Sequence, residues 1–291
     1  MKAGFSLLIR TTRPGRDDLD LLQALKAAGY DGAEIPVSPD AVGDMVLIRQ
    51  MLDDCGLEAT ASGGVADPAR NPMSDDPTAR RAGVDDLKRL VDGAVVLGAE
   101  VLSGPFHQPL AQFSGTGPTD REKAALVEAH RAMADHAAGA VRLAIEPLNR
   151  FECYALNTCD QAAALVADVN RPGYGYLYDT FHAHIEERDP TDAIQRTGAA
   201  IGHVHISEND RGIPGTGQVD FNATARALRS VGYDGWLVVE AFGQALPDLA
   251  AATRIWRPLF KSEVDVIEGG ITTIRMAWDN AARAGLKGEM A

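Results

Sequence analysis

Four apolar runs in the C-terminal half of this 291-residue chain each end on a side chain able to ligate a metal. They are Val141-Arg-Leu-Ala-Ile-Glu146, Tyr174-Gly-Tyr-Leu-Tyr-Asp179, Ile201-Gly-His-Val-His205 and Gly235-Trp-Leu-Val-Val-Glu240. Glu146, Asp179, His205 and Glu240 follow one another at intervals of 33, 26 and 35 residues, the length of one strand, one helix and two loops. If the strands are parallel neighbours, the four side chains converge at one end of a sheet. Three carboxylates and one imidazole suit a hard or borderline divalent ion such as Mn²⁺, Mg²⁺ or Co²⁺. Glu146 and Glu240 lie on the fifth and eighth of the expected strands, so one carboxylate can remove a proton from one face of a bound substrate while the other returns one to the opposite face. A metal polarising the adjacent carbonyl makes that carbon acidic, and the outcome is inversion of a stereocentre. Asp179 and His205 complete the coordination. Alone, each of these residues has an ordinary structural explanation, as a cap, an ion-pair partner or a core histidine; four at this spacing do not.

Positioning those four requires a regular alternation of strands and helices, and the chain has one. Asp17 to Ala28 carries apolar residues at helical spacing and stops at Gly29, ahead of the strand that ends near Pro36. Pro77 suits a first helical turn, and Thr78 to Leu97 then runs to Gly98 and a further strand. Thr119 to Ala138 forms another long helix leading into the Glu146 strand. Gly29-Tyr-Asp-Gly32 and Gly232-Tyr-Asp-Gly235 repeat one helix-stop, strand-start unit. The pattern predicts eight strands, near residues 3–9, 32–36, 57–62, 99–103, 141–146, 174–178, 201–206 and 235–239. The expected fold is α/β, a (β/α)8 TIM barrel spanning 1–291 as one domain, with chemistry at the C-terminal ends of the strands. Residues 262–285 add a helical segment that caps the barrel or packs a subunit interface, and a homodimer or homotetramer is the expected assembly.

Composition narrows the partners. The chain is 45% hydrophobic, with 28 basic against 41 acidic residues and a net charge of −13, which repels phosphate backbones and anionic lipid. Neither nucleic acid nor a membrane is expected as a partner. No apolar run reaches membrane-spanning length, and the N-terminal run reads as a first strand rather than a signal peptide. Cys55, Cys153 and Cys159 form no CxxC pair, consistent with reduced thiols in a cytoplasm.

The sequence around the four ligands is more specific. Glu146-Pro-Leu-Asn-Arg-Phe-Glu152, Asp179-Thr-Phe-His182 followed by Ile185-Glu-Glu187, His203-Val-His205-Ile-Ser-Glu-Asn-Asp-Arg211 with Pro214-Gly-Thr-Gly217, and Val239-Glu240-Ala-Phe resemble the D-tagatose 3-epimerase, D-psicose (allulose) 3-epimerase and L-ribulose 3-epimerase family. That family belongs to the xylose-isomerase-like sugar isomerase and epimerase barrels. The resemblance spans residues 80 to 260, including Gly104-Pro-Phe-His107, and weakens before residue 60. It implies that Glu146, Asp179, His205 and Glu240 hold one ion per subunit, Mn²⁺ first and Co²⁺ or Mg²⁺ as alternatives. It also implies that Glu146 and Glu240 are the acid/base pair at C3 of a free keto-sugar, and that Glu152, His182 and Arg211 bind its O1 and O2 end. A carboxylate and an imidazole accept hydroxyl hydrogen bonds, and the guanidinium fork orients the sugar.

The chain departs from the family where substrate specificity is set. Ile9-Arg-Thr-Thr12 stands where aromatic residues are common, strand three ends in Ser62-Gly-Gly64, and His184 replaces a common Asn. His107, Phe106, Phe242 and Trp256 are candidates for the pocket wall, with helix packing the ordinary role for Trp256 between Arg254 and Arg257. Glu34, closing strand two, either reaches the pocket or anchors a loop. Three other functions compete. A dehydratase or lyase of an inosose or 3-keto sugar would use the same proton abstraction with His184 or His107 as the acid for the leaving group. A multi-zinc endonuclease of the same superfamily would need more than the seven histidines present. A non-enzymatic barrel would have no need of the acid/base pair and the sugar-binding set together.

Overall fold

Several turns of the fold are closed locally by the residue type that the backbone favours. Gly29, Gly56 and Gly98 end three successive helices in the left-handed conformation, with φ of 92°, 67° and 72°, where a side chain is disfavoured. Asp76 caps a helix that begins with Pro77, and Thr119 and Glu122 form a reciprocal capping box. The resulting units join in the computed structural model, which describes residues 1–288, into a closed parallel barrel in the order β1 to β8. The strands are β1 (Lys2–Ser6), β2 (Gly32–Pro36), β3 (Glu58–Ser62), β4 (Val101–Gly104), β5 (Arg142–Ile145), β6 (Tyr174–Asp179), β7 (Ile201–Ile206) and β8 (Trp236–Val239). The helices are α1 (Leu19–Ala28), α2 (Met45–Cys55), α3 (Pro77–Leu97), α4 (Asp120–Ala137), α5 (Cys159–Val169), α6 (Thr180–Glu186), α7 (Pro190–Thr197), α8 (Phe221–Ser230), α9 (Pro247–Ala252) and α10 (Glu263–Gly288). The extra C-terminal segment is thus one helix, α10, lying against α8 and α1. Among the described residues, no helix is long and apolar enough to cross a membrane.

Two expectations need correction. The first strand ends at Ser6, because Leu7–Ile9 wind into a 3₁₀ turn whose Leu7 carbonyl accepts from the N–H groups of Arg10 and Thr11, both at 2.9 Å. That turn buries Leu7 and Ile9 and leaves Leu8 on the wall of the central cavity. Trp256 is not packed in a helix; it lies between α9 and α10 and is 70% exposed.

The barrel interior is layered. An apolar layer of Val101, Ala144, Leu177, Trp236 and Val238 fills its lower part. Gly32 makes room for Trp236, since a Cβ there would stand 2.6 Å from the indole ring. Above it lies a buried polar layer, including Glu34, Thr60, Ser103, His203 and the four ligand candidates. The outer core is the interface between strands and surrounding helices, as expected when parallel strands are covered on the outside by their crossover helices.

Gly104 is where backbone geometry reaches the site. Its φ is 136°, and a Cβ there would lie 2.0 Å from the Gly63 carbonyl oxygen. Its own carbonyl accepts from the Glu146 N–H at 3.0 Å. Gly104→Ala is therefore expected to destabilise the protein by about 2 kcal/mol or more and to displace Glu146. Denaturant unfolding and activity read both effects, and an unchanged midpoint would contradict the assignment.

Candidate active site

Strand register brings the four ligand candidates together. Asp179 and His205 are direct cross-strand partners, and His205 pairs with Val238, two residues short of Glu240. Glu146 and Glu240 each lie one residue beyond a strand end. One ligand atom from each of Glu146, Asp179, His205 and Glu240 falls within 4.8 Å of all the others, and all four residues are buried. His205 Nδ1 lies 3.5 Å from Glu240 Oε1 and 3.9 Å from Asp179 Oδ2, and it has no hydrogen-bond partner. A buried imidazole nitrogen aimed at carboxylate oxygens without a bond is a donor that a cation could use. The donor set of three carboxylates and one nitrogen fits a hard or borderline divalent ion.

Asp179 has two duties. It ends β6 and caps α6, its Oδ1 accepting from the Phe181 N–H at 2.6 Å, while Oδ2 faces the cluster. Thr180 and Ser207 lock the neighbouring strand ends, the Thr180 hydroxyl donating to the Ser207 carbonyl at 2.6 Å.

Arg211 is the cation of the site. Its Nη1 donates to Glu240 Oε2 at 2.6 Å and to Asp179 Oδ2 at 3.3 Å, and Nη2 lies 3.8 Å from Glu152. The guanidinium is sandwiched between Phe181 and Phe242, at 3.9 and 4.7 Å from the ring centres, an arrangement that holds its plane and adds cation–π attraction. The backbone at Arg211 is left-handed, φ 66°. It is held there by Arg211 N–H to Glu208 and Phe242 N–H to Arg211, at 2.9 and 3.0 Å. Glu208, fully buried, accepts three further backbone N–H groups, from Asn209, Gly215 and Val219. The polar loop of residues 207–212 is therefore organised around a buried carboxylate.

His182 is oriented by Asn149. The Asn149 backbone N–H donates to His182 Nδ1 at 3.0 Å, and Nε2 lies 3.1 Å from Arg211 Nη2 and 3.5 Å from Glu146 Oε1. The Asn149 side-chain amide also donates to Glu152 Oε1 at 2.9 Å. Asn149 thus ties together two expected sugar-binding residues, although an Asn in a loop gives no such signal in sequence.

Burial and charge drive the acidities apart. Burial, then the Glu240 charge, raises the Glu146 carboxyl well above its ordinary value. Asp179 is pushed to about 6, chiefly by burial, with Arg211 opposing. Burial also acts to raise Glu240, but His205 and Arg211 outweigh it and hold that group below the usual range. The His182 ring stays neutral, its pKa lowered by burial and then by Arg211.

The cluster opens into a cavity of about 330 Å³. Glu146, Glu152, His182, His205, Arg211 and Glu240 line its floor, and the far wall is mainly aliphatic, with Phe242. Three pocket candidates stand elsewhere. Phe106 and His107 are fully buried and do not line the cavity. His107 Nε2 instead meets the Glu146 carbonyl at 3.0 Å, so it holds backbone rather than sugar. Trp256 also lies off the wall. His184 is exposed on α6.

The comparisons with known proteins agree with this geometry. Residues 22–260 match the family model described as xylose isomerase-like TIM barrel. The ketose 3-epimerase of Arthrobacter globiformis is 36% identical over 245 residues, covering 82% of this chain and 83% of that protein. The L-ribulose 3-epimerase of Methylomonas sp. strain DH-1 is 32% identical over 255 residues, covering 86% and 88%. The crystal structure of a Methylomonas D-allulose 3-epimerase in complex with D-allulose superposes with a TM-score of 0.89 at 28% identity, covering 95% of this chain and 97% of that one. The chain belongs to the ketose 3-epimerase family of xylose isomerase-like TIM barrels, and it is an enzyme of the isomerase class.

Proposed function

We propose that this enzyme is a metal-dependent ketose 3-epimerase acting on free keto-sugars of the D-tagatose/D-sorbose, D-fructose/D-allulose or L-ribulose/L-xylulose type. The observation that carries the reading is that Glu146 and Glu240 share one buried four-donor cluster and also line the cavity. Glu146, Asp179, His205 and Glu240 would hold one divalent ion, Mn²⁺ in preference to Co²⁺ or Mg²⁺. When bound, that ion supplies Lewis acidity next to the substrate carbonyl.

The protein's own groups do the rest. Arg211, His182 and Glu152 grip the O1 and O2 end, fixing which carbon lies between the carboxylates. One glutamate takes the C3 proton as a base, the electrons delocalise into the C2 carbonyl to give an enediolate, and the other glutamate delivers a proton to the opposite face. Arg211 is the cation on the cavity wall, and it is engaged by Glu240 and Asp179. This favours an uncharged sugar over a sugar phosphate. Elimination is the less supported outcome, because His107 and His184 do not line the cavity. The proposed assembly is a homodimer or homotetramer of a single-domain chain.

The test is incubation with Mn²⁺ and a panel of ketoses in D₂O, followed by NMR. The expected result is deuterium at C3 together with the C3 epimer. Deuterium at another carbon, or loss of a hydroxyl group, would overturn the reading.

A further inference from the structure

Glu34 is 0% exposed in the middle of β2, and the expectation that it reaches the pocket or anchors a loop is met in neither form. It lies inside the barrel, its neighbours in register being Ser6 on β1 and Thr60 on β3. His205 Nε2 straddles its carboxylate, 3.0 Å from Oε1 and 3.2 Å from Oε2. Oε2 also accepts from His203 Nε2 at 3.0 Å, from the Ser103 hydroxyl at 3.2 Å and from the Thr60 hydroxyl at 3.5 Å. The contact with His205 crosses the interior and joins residues 171 positions apart in sequence.

We propose that Glu34 is a positioning residue that fixes the His205 tautomer, holding the proton on Nε2 so that the Nδ1 lone pair faces the Asp179 and Glu240 carboxylates. This rests on the reading of that cluster as a metal site. A neutral imidazole has one donor and one acceptor nitrogen. A buried carboxylate at hydrogen-bond distance from Nε2 requires the donor there, so the acceptor is Nδ1, the nitrogen without a partner. His203, Ser103 and Thr60 clamp Glu34 in turn, so the carboxylate cannot swing away. A carboxylate behind a ligating histidine fixes ring orientation and raises ligand basicity, and losing it typically weakens metal affinity by ~10–100-fold. Glu34, His203 and His205 also lie close enough together to suggest a second ion site. That alternative requires His205 Nε2 to surrender its proton while Nδ1 serves the first cluster, so the hydrogen-bonded arrangement is preferred.

The experiment uses the full-length chain stripped of metal, with Mn²⁺ as the probe. Calorimetric titration gives affinity and stoichiometry, and long-range ¹H–¹⁵N NMR of the imidazoles gives the His205 tautomer in the Zn²⁺-loaded form. The wild type is expected to bind one Mn²⁺ with the His205 proton on Nε2. Glu34→Gln, nearly isosteric, is expected to lower affinity ~10–100-fold and to redistribute the tautomers. Glu34→Asp, which keeps the charge, should recover part of both. If Glu34→Gln fails to fold, Glu34→Asp and Ser103→Ala, which removes one clamp, are read instead and should shift the tautomer in the same direction to a smaller extent. Wild-type protein that binds no Mn²⁺ would refute the metal-site reading itself. One Mn²⁺ in the wild type with unchanged affinity and tautomer in the variants would overturn the role of Glu34 alone. Two ions, with one lost in His203→Gln, would replace it by the second-site alternative.

Discussion

Glu240→Gln is expected to bind metal, to lose epimer interconversion by at least ~10³-fold, and to keep exchanging the C3 proton of one epimer only. The amide retains a neutral oxygen donor in place of a carboxylate ligand, but it can no longer accept a proton. General acid–base groups contribute about 10²–10⁴-fold each, and inversion needs both. If Glu146 and Glu240 serve opposite faces of C3, the epimer whose proton faces Glu146 still reaches the shared enediolate and exchanges with solvent. Glu146→Gln should show the mirror pattern, with exchange confined to the other epimer. The two variants also differ in a second respect: Arg211 donates to Glu240 at 2.6 Å, so only Glu240→Gln releases the guanidinium, and KM should rise in that variant more than in Glu146→Gln. Deuterium incorporation into each epimer, compared with interconversion in metal-loaded protein, decides the matter. If either variant inverts C3 at a substantial fraction of the wild-type rate, a single-base pathway must replace the two-carboxylate mechanism.

Asp179→Asn and His205→Ala are expected to weaken Mn²⁺ binding by ~100-fold or more and to reduce turnover by ~10³-fold or more, since several kcal/mol of charge stabilisation depends on the ion. Asp179→Asn is the cleaner variant. Asn is as good a helix cap as Asp, so the bond to the Phe181 N–H that starts α6 survives and stability should change little. His205→Ala additionally leaves Glu34 without its inward donor. Acid should mimic these losses. In the metal-free chain burial raises Asp179 to about 6 and Glu146 well above its ordinary value. A raised carboxylate pKa means that protons compete with the cation at higher pH than usual. Mn²⁺ affinity should therefore be greatest above these pKa values and fall as pH drops through about 6. Titrations at pH 5 and pH 7.5 are expected to differ by tenfold or more in affinity. Equal affinities, or full activity in a metal-replete Asp179→Asn protein, would remove these residues from the coordination set.

The eight β/α units are readable from sequence because the determinants are local. Gly29 and Gly98 stop helices, Asp76-Pro77 and Thr119 with Glu122 start them, and the short apolar runs between them read as strands. Glu146, Asp179, His205 and Glu240 are readable for the same reason, each sitting at the end of such a run, where a parallel barrel gathers side chains. The error at Leu7–Ile9 has a matching cause. A run of apolar residues looks the same whether it continues a strand or buries itself in a 3₁₀ turn, and only the packing of Leu7 and Ile9 decides.

What remained hidden depends on closure. Glu34 meets His203 and His205 across the barrel interior, and neither propensity nor spacing encodes which strands face one another inside a ring. Asn149 and Glu152 after β5, Phe181 and His182 on α6, Arg211 after β7 and Phe242 after β8 follow different strands and approach only once the strand ends are fixed. His107 shows the converse: its neighbourhood in sequence suggests a sugar contact, yet the β4 loop turns it inward onto the Glu146 carbonyl. The sequence by itself determined the kind of barrel, the ligand chemistry and the end of the barrel where it gathers. Tertiary structure alone decided which polar groups face the cavity and which support them from behind, because that choice is made by contacts between different strands and loops, such as Asn149 with His182, 33 positions apart, and Glu34 with His205, 171 apart.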